Sequence, residues 1–284
     1  MARAEGSEMP VSRTAEGREG LEAIRRDPGS ALVAMDFDGT LSPIVADAGA
    51  ARAHLGAVPA LRGLSGLVGT LAVITGRPAR VAVELGGLGE VPGLIVLGHY
   101  GMERWAGGEL TAPPVPPGVV TARERLPGVL ARAGAPAGTR IEDKGSAVAV
   151  HTRGTDDPEG TLAALAAPLA GLADATGLAV EPGRLVIELR PPGTDKGTAL
   201  TSLVAERKAG AVLFAGDDLG DLAAFGAVRA LRADGHPGVT VCSSSAEVTE
   251  LAAEADLVVA GPDGVVALLG SLARALAAPP HPAR

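Results

Sequence analysis

Aspartates follow two of the most apolar runs in this sequence. Asp36 and Asp38 come directly after the run ALVAM. Asp217, Asp218 and Asp221 follow the run AVLFAG. Ligands of open parallel sheets bind at the carboxyl ends of the strands, so we expect these carboxylates to converge if the two runs are neighbouring strands. Crowded carboxylates need a cation, and such oxygen ligands suit Mg²⁺ with a phosphate partner. Turn formation at the first pair and helix capping at the second group are the structural alternatives.

Two further residues have the chemistry to hold a phosphate group. Thr75 ends the apolar run TLAVI, and Gly76 leaves the backbone beside it open to a phosphate oxygen, although such a pair can also simply form a turn. Lys196 begins a predicted helix, where the positive end of the helix dipole disfavours a cation. Lysine occurs at only three positions, whereas lysine and arginine together number 25. A lysine placed against that field indicates a bound anion.

The apolar runs before these residues predict buried parallel strands separated by helices. They are ALVAM, TLAVI, LIVL, AVLFA, VTVC and DLVVA. This alternation predicts an α/β fold with a Rossmann-like parallel sheet. The middle of the chain differs, because a proline-rich segment precedes helical patterns and alternating segments that are typical of antiparallel strands. We predict a flexible leader (1–29) with one helix around Leu21 to Arg26, an α/β core (30–105 and 185–284) and an inserted α+β cap (106–184).

The motifs occur in the order that characterises the haloacid dehalogenase superfamily, which this sequence resembles. The corresponding segments are DFDGT, VITGRP, DKG and GDDLGD. The resemblance implies a Rossmann-like core of the haloacid dehalogenase type and phosphoryl transfer through an aspartyl-phosphate. It implies that Asp36 is the nucleophile and that Asp38 is the general acid and base.

The same resemblance implies a Mg²⁺ site and a phosphate site. Mg²⁺ would be held by Asp36, the carbonyl of Asp38 and Asp217. Thr75 and Lys196 would hold the phosphoryl oxygens. Asp218 and Asp221 would orient metal-bound waters.

Longer segments resemble the trehalose 6-phosphate phosphatase family within that superfamily. GHYGMERW is similar to the family pattern G-x-H-G-x-E, and IEDKGSAVAVHTR is similar to an E-D-K segment that ends in H-Y-R. LVIELRPPGTDKG is similar to E-x-R-P followed by K-G. The resemblance runs from about Leu32 to Phe225 and implies Mg-dependent hydrolysis of trehalose 6-phosphate to trehalose and phosphate. The family's G-D-D-x-T-D-E pattern has Gly220 here in place of Thr and Leu222 in place of Glu, which bears on sugar specificity.

The predicted cap is expected to bind the sugar and to close with the core around it. By the resemblance, the residues that contact the glucose rings are Glu142, Lys144, Arg153 and Glu188. Arg77 and His99 complete the substrate-binding candidates, although Arg77 and Arg190 are equally able to form structural ion pairs. His99 and His151 lack a second histidine or cysteine at metal-ligand spacing, which favours hydrogen-bonding or packing roles. Residues two apart on a strand face the same way, so Glu142 points with Lys144 and Glu188 with Arg190. Cross-strand charge pairs on a hairpin surface are the alternative reading.

Composition, net charge and the absence of certain motifs exclude several classes of protein. The chain has 284 residues and a formal net charge of −8, which disfavours binding to nucleic acid or to an anionic membrane. No apolar stretch approaches the roughly 18 residues of a membrane span. The single cysteine, Cys242, excludes a disulfide framework. P-loop kinases, dinucleotide enzymes and α/β-hydrolases are excluded because G-K-[ST], G-x-G-x-x-G and G-x-S-x-G are absent. We predict a cytoplasmic monomer whose partner is a small-molecule sugar phosphate.

Two alternatives to this function remain open at the level of sequence. The first is a capped phosphatase that acts on sucrose phosphate, mannosyl phosphoglycerate or a hexose phosphate. The second is a sugar-phosphate sensor without catalysis, against which the complete set of acid, base and metal-binding aspartates argues. A phosphosugar mutase is disfavoured because nothing in the sequence suggests a way to retain the phosphate.

Overall fold

The computed structural model describes residues 10–45, 48–183, 185–244 and 249–278. The strands of these residues are β1 Ala31–Met35, β2 Thr70–Ile74, β3 Ile95–Gly98, β4 Glu103–Ala106, β5 Glu109–Thr111, β6 Arg140–Asp143, β7 Val148–His151, β8 Ala179–Gly183, β9 Val186–Arg190, β10 Ala211–Gly216, β11 Gly238–Ser244 and β12 Leu257–Ala260. The helices are α1 Ala15–Arg26, α2 Ala57–Leu64, α3 Ala79–Gly86, α4 Pro117–Arg132, α5 Pro158–Thr176, α6 Lys196–Arg207, α7 Leu222–Ala233, α8 Glu250–Glu254 and α9 Gly261–Ala277.

The chain divides into a core unit and an inserted unit. The core unit comprises Met1–Thr111 and Asp195–Arg284, and the inserted unit comprises Ala112–Thr194. Every helix of the described residues is too short or too polar to cross a lipid bilayer.

The core unit is built on an eight-stranded sheet of the described residues, in the order β12-β11-β10-β1-β2-β3-β4-β5. The pairs from β12 to β3 are parallel, and the hairpin of β4 and β5 adds two antiparallel strands beside β3. The strand β1 therefore lies between β10 and β2, although these three strands are far apart in the chain. This order brings the residues that follow β10, β1 and β2 to the same edge of the sheet.

Apolar side chains on both faces hold these central strands in place. Val33 and Met35 of β1 pack on one face, in a cluster that includes α1, α2, α3 and α9. Leu32 and Ala34 pack on the other face, in a cluster that includes α6, α7 and α8. Burying one such large side chain contributes about 1.5–3 kcal/mol, so β1 has a strongly determined register. The predicted doubly covered parallel sheet is confirmed.

The inserted unit has its own antiparallel sheet and its own apolar cluster. Its four described strands have the order β6-β7-β9-β8. Val148, Val150, Ile187 and Leu189 pack with apolar residues of α4 and α5 on one face. The opposite face of this sheet carries the charged or polar side chains of Glu142, His151, Glu181, Glu188 and Arg190, with Lys144 beside Glu188, and we call it the charged face.

Three boundaries differ from the predicted ones. Helix α1 already begins at Ala15, because Thr14 accepts a hydrogen bond from the Gly17 N–H and so caps its first turn. The inserted unit begins at Ala112 rather than at residue 106, because the segment before it forms the hairpin of β4 and β5 on the core sheet. It ends at Thr194 rather than at residue 184, because β9 pairs with β7 and β8. Residues 1–9 of the predicted leader lie outside the described residues.

Candidate active site

Three buried carboxylates lie together at the edge of the core sheet. Asp36 directly follows β1 and Asp217 directly follows β10, and the register of these parallel strands pairs Met35 with Ala215. Asp221 lies one turn beyond Asp217, and the three residues each offer a carboxylate oxygen within 4.8 Å of the others. All three residues are nearly inaccessible to solvent. The predicted convergence of aspartates from separate strand ends is therefore present in the structure.

Lys196 is the cation within this group of carboxylates. It is the first residue of α6, and its Nζ atom lies 2.7 Å from Asp221 Oδ1, 3.0 Å from Asp36 Oδ2 and 4.0 Å from Asp218 Oδ1. Burial acts to lower the pKa of Lys196, but the surrounding carboxylates outweigh it and raise the pKa well above its usual value. The lysine therefore stays charged at the positive end of a helix dipole.

Asp221 holds the loop after β10 in place. Its Oδ2 atom accepts hydrogen bonds from the N–H groups of Asp217 at 2.9 Å and Asp218 at 3.2 Å, while Oδ1 accepts from Lys196. Asp218 and Asp221 also form a reciprocal capping box at the turn that leads into α7. The capping alternative of the sequence analysis is therefore also realised, and Asp221 both orders the loop and faces the carboxylate group.

The electrostatics of the group favour a bound cation. Burial raises the pKa of Asp217 to about 8, with repulsion from Asp221 and Asp218 acting in the same direction. Burial likewise raises the pKa of Asp36 well above its usual value, against the attraction of Lys196. The backbone at Gly39 leaves room beside Asp217, because a Cβ atom there would lie 1.9 Å from Asp217 Oδ2. Crowded hard oxygen ligands with raised pKa values fit a divalent cation such as Mg²⁺.

The loop after β2 contains Thr75 and Arg77, and it places Arg77 beside Asp38. Thr75 is buried and follows the strand next to β1. Arg77 donates from Nε and from its terminal amine to the two carboxylate oxygens of Asp38, both at 2.6 Å. This bidentate pair favours the ion-pair reading of Arg77 over direct substrate contact. A phosphate role for Thr75 and acid–base and metal-binding roles for Asp38 stay predictions.

The sugar-binding candidates lie in the inserted unit. Lys144 donates to Glu188 Oε2 at 2.5 Å, and Glu142 Oε2 lies 2.6 Å from His151 Nε2. This hydrogen bond is the main cause that lowers the pKa of Glu142. Both pairs agree with the cross-strand alternative. Glu188 Oε1, however, is buried and has no hydrogen-bond partner among the described residues. Arg153 is exposed beyond the end of β7.

Two acidic side chains have a role that the sequence analysis did not assign, whereas His151 has the hydrogen-bonding role expected of it and pairs with Glu142. Glu181 accepts a hydrogen bond from Arg190 at 2.6 Å. Glu103 accepts a hydrogen bond from the Ala79 N–H at 2.7 Å. The sequence contains one indication of this role. Pro78 precedes α3 and has no side-chain group that can cap the helix, so the cap has to come from another residue. His99, a substrate-binding candidate, is buried with Nε2 3.6 Å from Glu103 Oε1.

Comparison with protein families gives one match that covers most of the chain. A model of the trehalose-phosphatase family matches residues 34–262. A trehalose-phosphate phosphatase of Mycobacterium marinum is 34% identical over 288 residues, which cover 95% of this chain and 67% of that protein. An uncharacterized glycosyl hydrolase of Mycobacterium tuberculosis is 37% identical over 211 residues, which cover 69% of this chain. The matched region is only 15% of that longer protein.

Solved structures resemble the chain in fold. The C-terminal domain of a trehalose-6-phosphate phosphatase from Candida albicans has a TM-score of 0.72 and 22% sequence identity, covering 94% of this chain and 99% of that one. At this level of identity the likeness concerns the fold alone. The predicted core of the haloacid dehalogenase type with an inserted α+β unit is confirmed.

Proposed function

Because the chain belongs to the trehalose-phosphatase family, we propose that it hydrolyses trehalose 6-phosphate to trehalose and inorganic phosphate. The observation that carries the proposal is the convergence of Asp36, Asp217 and Lys196 at one edge of the core sheet. Transfer of a phosphoryl group to a carboxylate requires a nucleophilic carboxylate beside a buried cation and further carboxylates. The site has this arrangement.

In the proposed mechanism, a carboxylate oxygen of Asp36 attacks the phosphorus atom and the bond from phosphorus to the sugar oxygen breaks. Asp38 gives its proton to the departing sugar oxygen, so that trehalose leaves as a neutral alcohol. Asp38 then takes a proton from a water molecule that attacks the aspartyl-phosphate, and phosphate leaves while Asp36 is regenerated. Lys196 and Thr75 hold the phosphoryl oxygens during both steps.

The acidic group also suits the Mg²⁺ that the proposal includes. Asp36 and Asp217, with the carbonyl of Asp38, are the residues that would hold the ion, and Asp218 and Asp221 would orient its waters. When bound, Mg²⁺ supplies positive charge that neutralises the transferring phosphoryl group. Lys196 alone leaves a surplus of negative charge among the carboxylates that surround it, which would otherwise repel a phosphate ester.

The charged face of the inserted unit is the proposed sugar-reading surface. Glu188 Oε1 is a buried acceptor without a partner among the described residues, and an unsatisfied buried carboxylate oxygen is costly. A sugar hydroxyl is a donor that satisfies it. Lys144 lies beside the same carboxylate, and Glu142 and Arg153 complete the proposed set. We include a cytoplasmic location in the proposal, because a charged sugar phosphate does not cross a lipid bilayer unaided. The monomeric state stays a prediction.

A phosphate-release panel tests the proposal. Trehalose, sucrose, glucose and mannose phosphates are each incubated with the protein, with and without Mg²⁺. We expect the highest kcat/KM for trehalose 6-phosphate and loss of turnover in excess chelator. Preference for another sugar phosphate would replace the substrate while retaining the chemistry. Binding of sugar phosphates without any release would support a sensor and contradict the proposal.

A further inference from the structure

Glu103 supplies the N-terminal cap of a helix that lies far from it in the chain. Helix α3 begins after Pro78, which has no side-chain oxygen with which to cap it. Glu103 Oε2, from strand β4, accepts the hydrogen bond of the Ala79 N–H instead, at 2.7 Å. A carboxylate at this position satisfies an otherwise unpaired N–H group and complements the helix dipole.

The segment between Gly98 and Glu103 also holds the loop that precedes α3. The His99 N–H donates to the Arg77 carbonyl at 3.0 Å, and the Tyr100 N–H donates to the Thr75 carbonyl at 3.0 Å. The Arg77 N–H donates to Thr75 Oγ1 at 3.2 Å. The backbone of this loop is therefore hydrogen-bonded at both Thr75 and Arg77.

This holding segment has an unusual backbone. His99 and Tyr100 have φ angles of 46° and 58°, which place two successive non-glycine residues in the left-handed region. Such conformations persist only where the surroundings determine them strongly. Gly98 allows the close approach, because a Cβ atom there would lie 2.2 Å from the Ala79 nitrogen. The His99 ring is buried with Nε2 3.6 Å from Glu103 Oε1.

Glu103 is thus connected to Arg77 indirectly, through two sets of contacts. One set passes through Ala79, two residues after Arg77, and the other passes through His99, whose N–H group bonds the Arg77 carbonyl. The side chain of Arg77 is mostly buried and holds both carboxylate oxygens of Asp38 at 2.6 Å. Each of these oxygens keeps a second lone pair for a proton.

We propose that Glu103 is a positioning residue for the general acid: it holds the loop that places Arg77, and Arg77 fixes the Asp38 carboxyl in one orientation. The inference depends on the proposed phosphatase activity. A misplaced acid slows phosphoryl transfer in proportion to the basicity of the leaving oxygen, because a weakly basic leaving group departs without a proton. Glu103 therefore affects substrates unequally, whereas general damage to the fold lowers the rates of all substrates alike.

Two aryl phosphates without a sugar test the proposal. Phenyl phosphate has the more basic leaving oxygen, and 4-nitrophenyl phosphate has the less basic one. For Glu103→Ala we expect kcat/KM to fall about 10- to 100-fold with phenyl phosphate and less than about threefold with 4-nitrophenyl phosphate. Glu103→Gln keeps a carbonyl acceptor for the Ala79 N–H, so we expect it to restore most of the lost rate. Should the alanine variant fail to fold, Glu103→Asp, whose carboxylate is one methylene too short, must show the same unequal loss.

Asp157→Ala is the matched control, because Asp157 caps α5 through the Gly160 N–H and lies in the inserted unit. We expect it to lower Tm by about 2–4 °C, as loss of a cap does, with both aryl phosphates turned over at the wild-type rate. Equal losses on the two substrates in the Glu103 variants, or none, would overturn the inference while the proposed function stands. A wild-type protein that hydrolyses neither aryl phosphate nor any sugar phosphate would instead refute the proposed function.

Discussion

In the core unit, buried carboxylates of like charge crowd around one lysine, whereas on the charged face of the inserted unit each acidic side chain has a partner of its own. Asp36, Asp217 and Asp221 share Lys196. The pairs of the charged face are Glu142 with His151, Lys144 with Glu188, and Arg190 with Glu181. Crowded like charges raise pKa values and attract a cation, whereas paired charges are close to neutral. The first arrangement suits chemistry on a phosphate ester, and the second suits recognition of an uncharged sugar by directed hydrogen bonds.

The largest expected effect comes from the crowded group. Asp36→Asn removes the proposed nucleophile while it keeps the shape of the side chain. We expect phosphate release from trehalose 6-phosphate to fall by about 10³-fold or more. The measurement is steady-state phosphate release in saturating Mg²⁺, with Asp234→Asn, an exposed aspartate at the end of α7, as a control that keeps full activity. Appreciable turnover by the Asp36 variant would remove it as the nucleophile.

The paired charges are expected to matter only for the sugar. In the double variant Glu142→Ala with Lys144→Ala, we expect kcat/KM for trehalose 6-phosphate to fall by about 10- to 100-fold more than that for 4-nitrophenyl phosphate. The ratio of the two kcat/KM values is the measurement. The double variant Glu124→Ala with Arg125→Ala removes two exposed charges of α4 in the same unit and should leave this ratio unchanged. Equal losses on both substrates would contradict sugar recognition by the charged face.

In the metal-free protein, we expect the crowded carboxylates to make the stability of the fold depend on pH. Burial raises the pKa of Asp217 to about 8 from the usual 3.8, so the folded state binds this proton more tightly than the unfolded state. The resulting stabilisation is complete below about pH 4 and is lost as the pH rises through about 8. In a chelator, we expect Tm to decline over this range and to decline less in Asp217→Asn, and Mg²⁺ should reverse the decline in the wild type. Parallel pH profiles of variant and wild type would contradict the assignment.

The smallest expected effect separates an exposed carboxylate from a buried one on the charged face. The Glu181 side chain is 44% exposed, whereas that of Glu188 is 8% exposed. Glu181→Gln keeps an oxygen acceptor for the buried Arg190, so it should change stability by less than about 1 kcal/mol and leave hydrolysis of trehalose 6-phosphate nearly unchanged. Glu188→Gln should destabilise the protein more and raise KM, because it alters a buried carboxylate. Thermal unfolding and steady-state kinetics on both variants provide the comparison.

The buried strands of the core sheet were predictable, because the apolar residues of each run are what a strand covered on both faces requires. Runs such as ALVAM and AVLFA are apolar at successive positions, which is the pattern of strands covered on both faces, and both form such strands. The hairpin of β4 and β5 was not predicted. Its strands are short, and their residues are only partly buried or exposed, so little hydrophobic periodicity marks them. The extent of the inserted unit depended on the pairing of β9, which local sequence does not reveal.

The sequence by itself determined the chemical types at the site, because aspartates and a threonine follow apolar runs and a rare lysine begins a predicted helix, in a recognisable order. Only the tertiary structure decided which of them meet. Strand order places Asp217 beside Asp36, and the hairpin after β3 brings Glu103 to the start of α3. It also decided that Arg77 binds Asp38 and that Glu188 keeps one oxygen without a partner among the described residues. The physical reason is that residue types follow from composition and spacing, whereas distances between remote side chains follow from strand pairing and close packing.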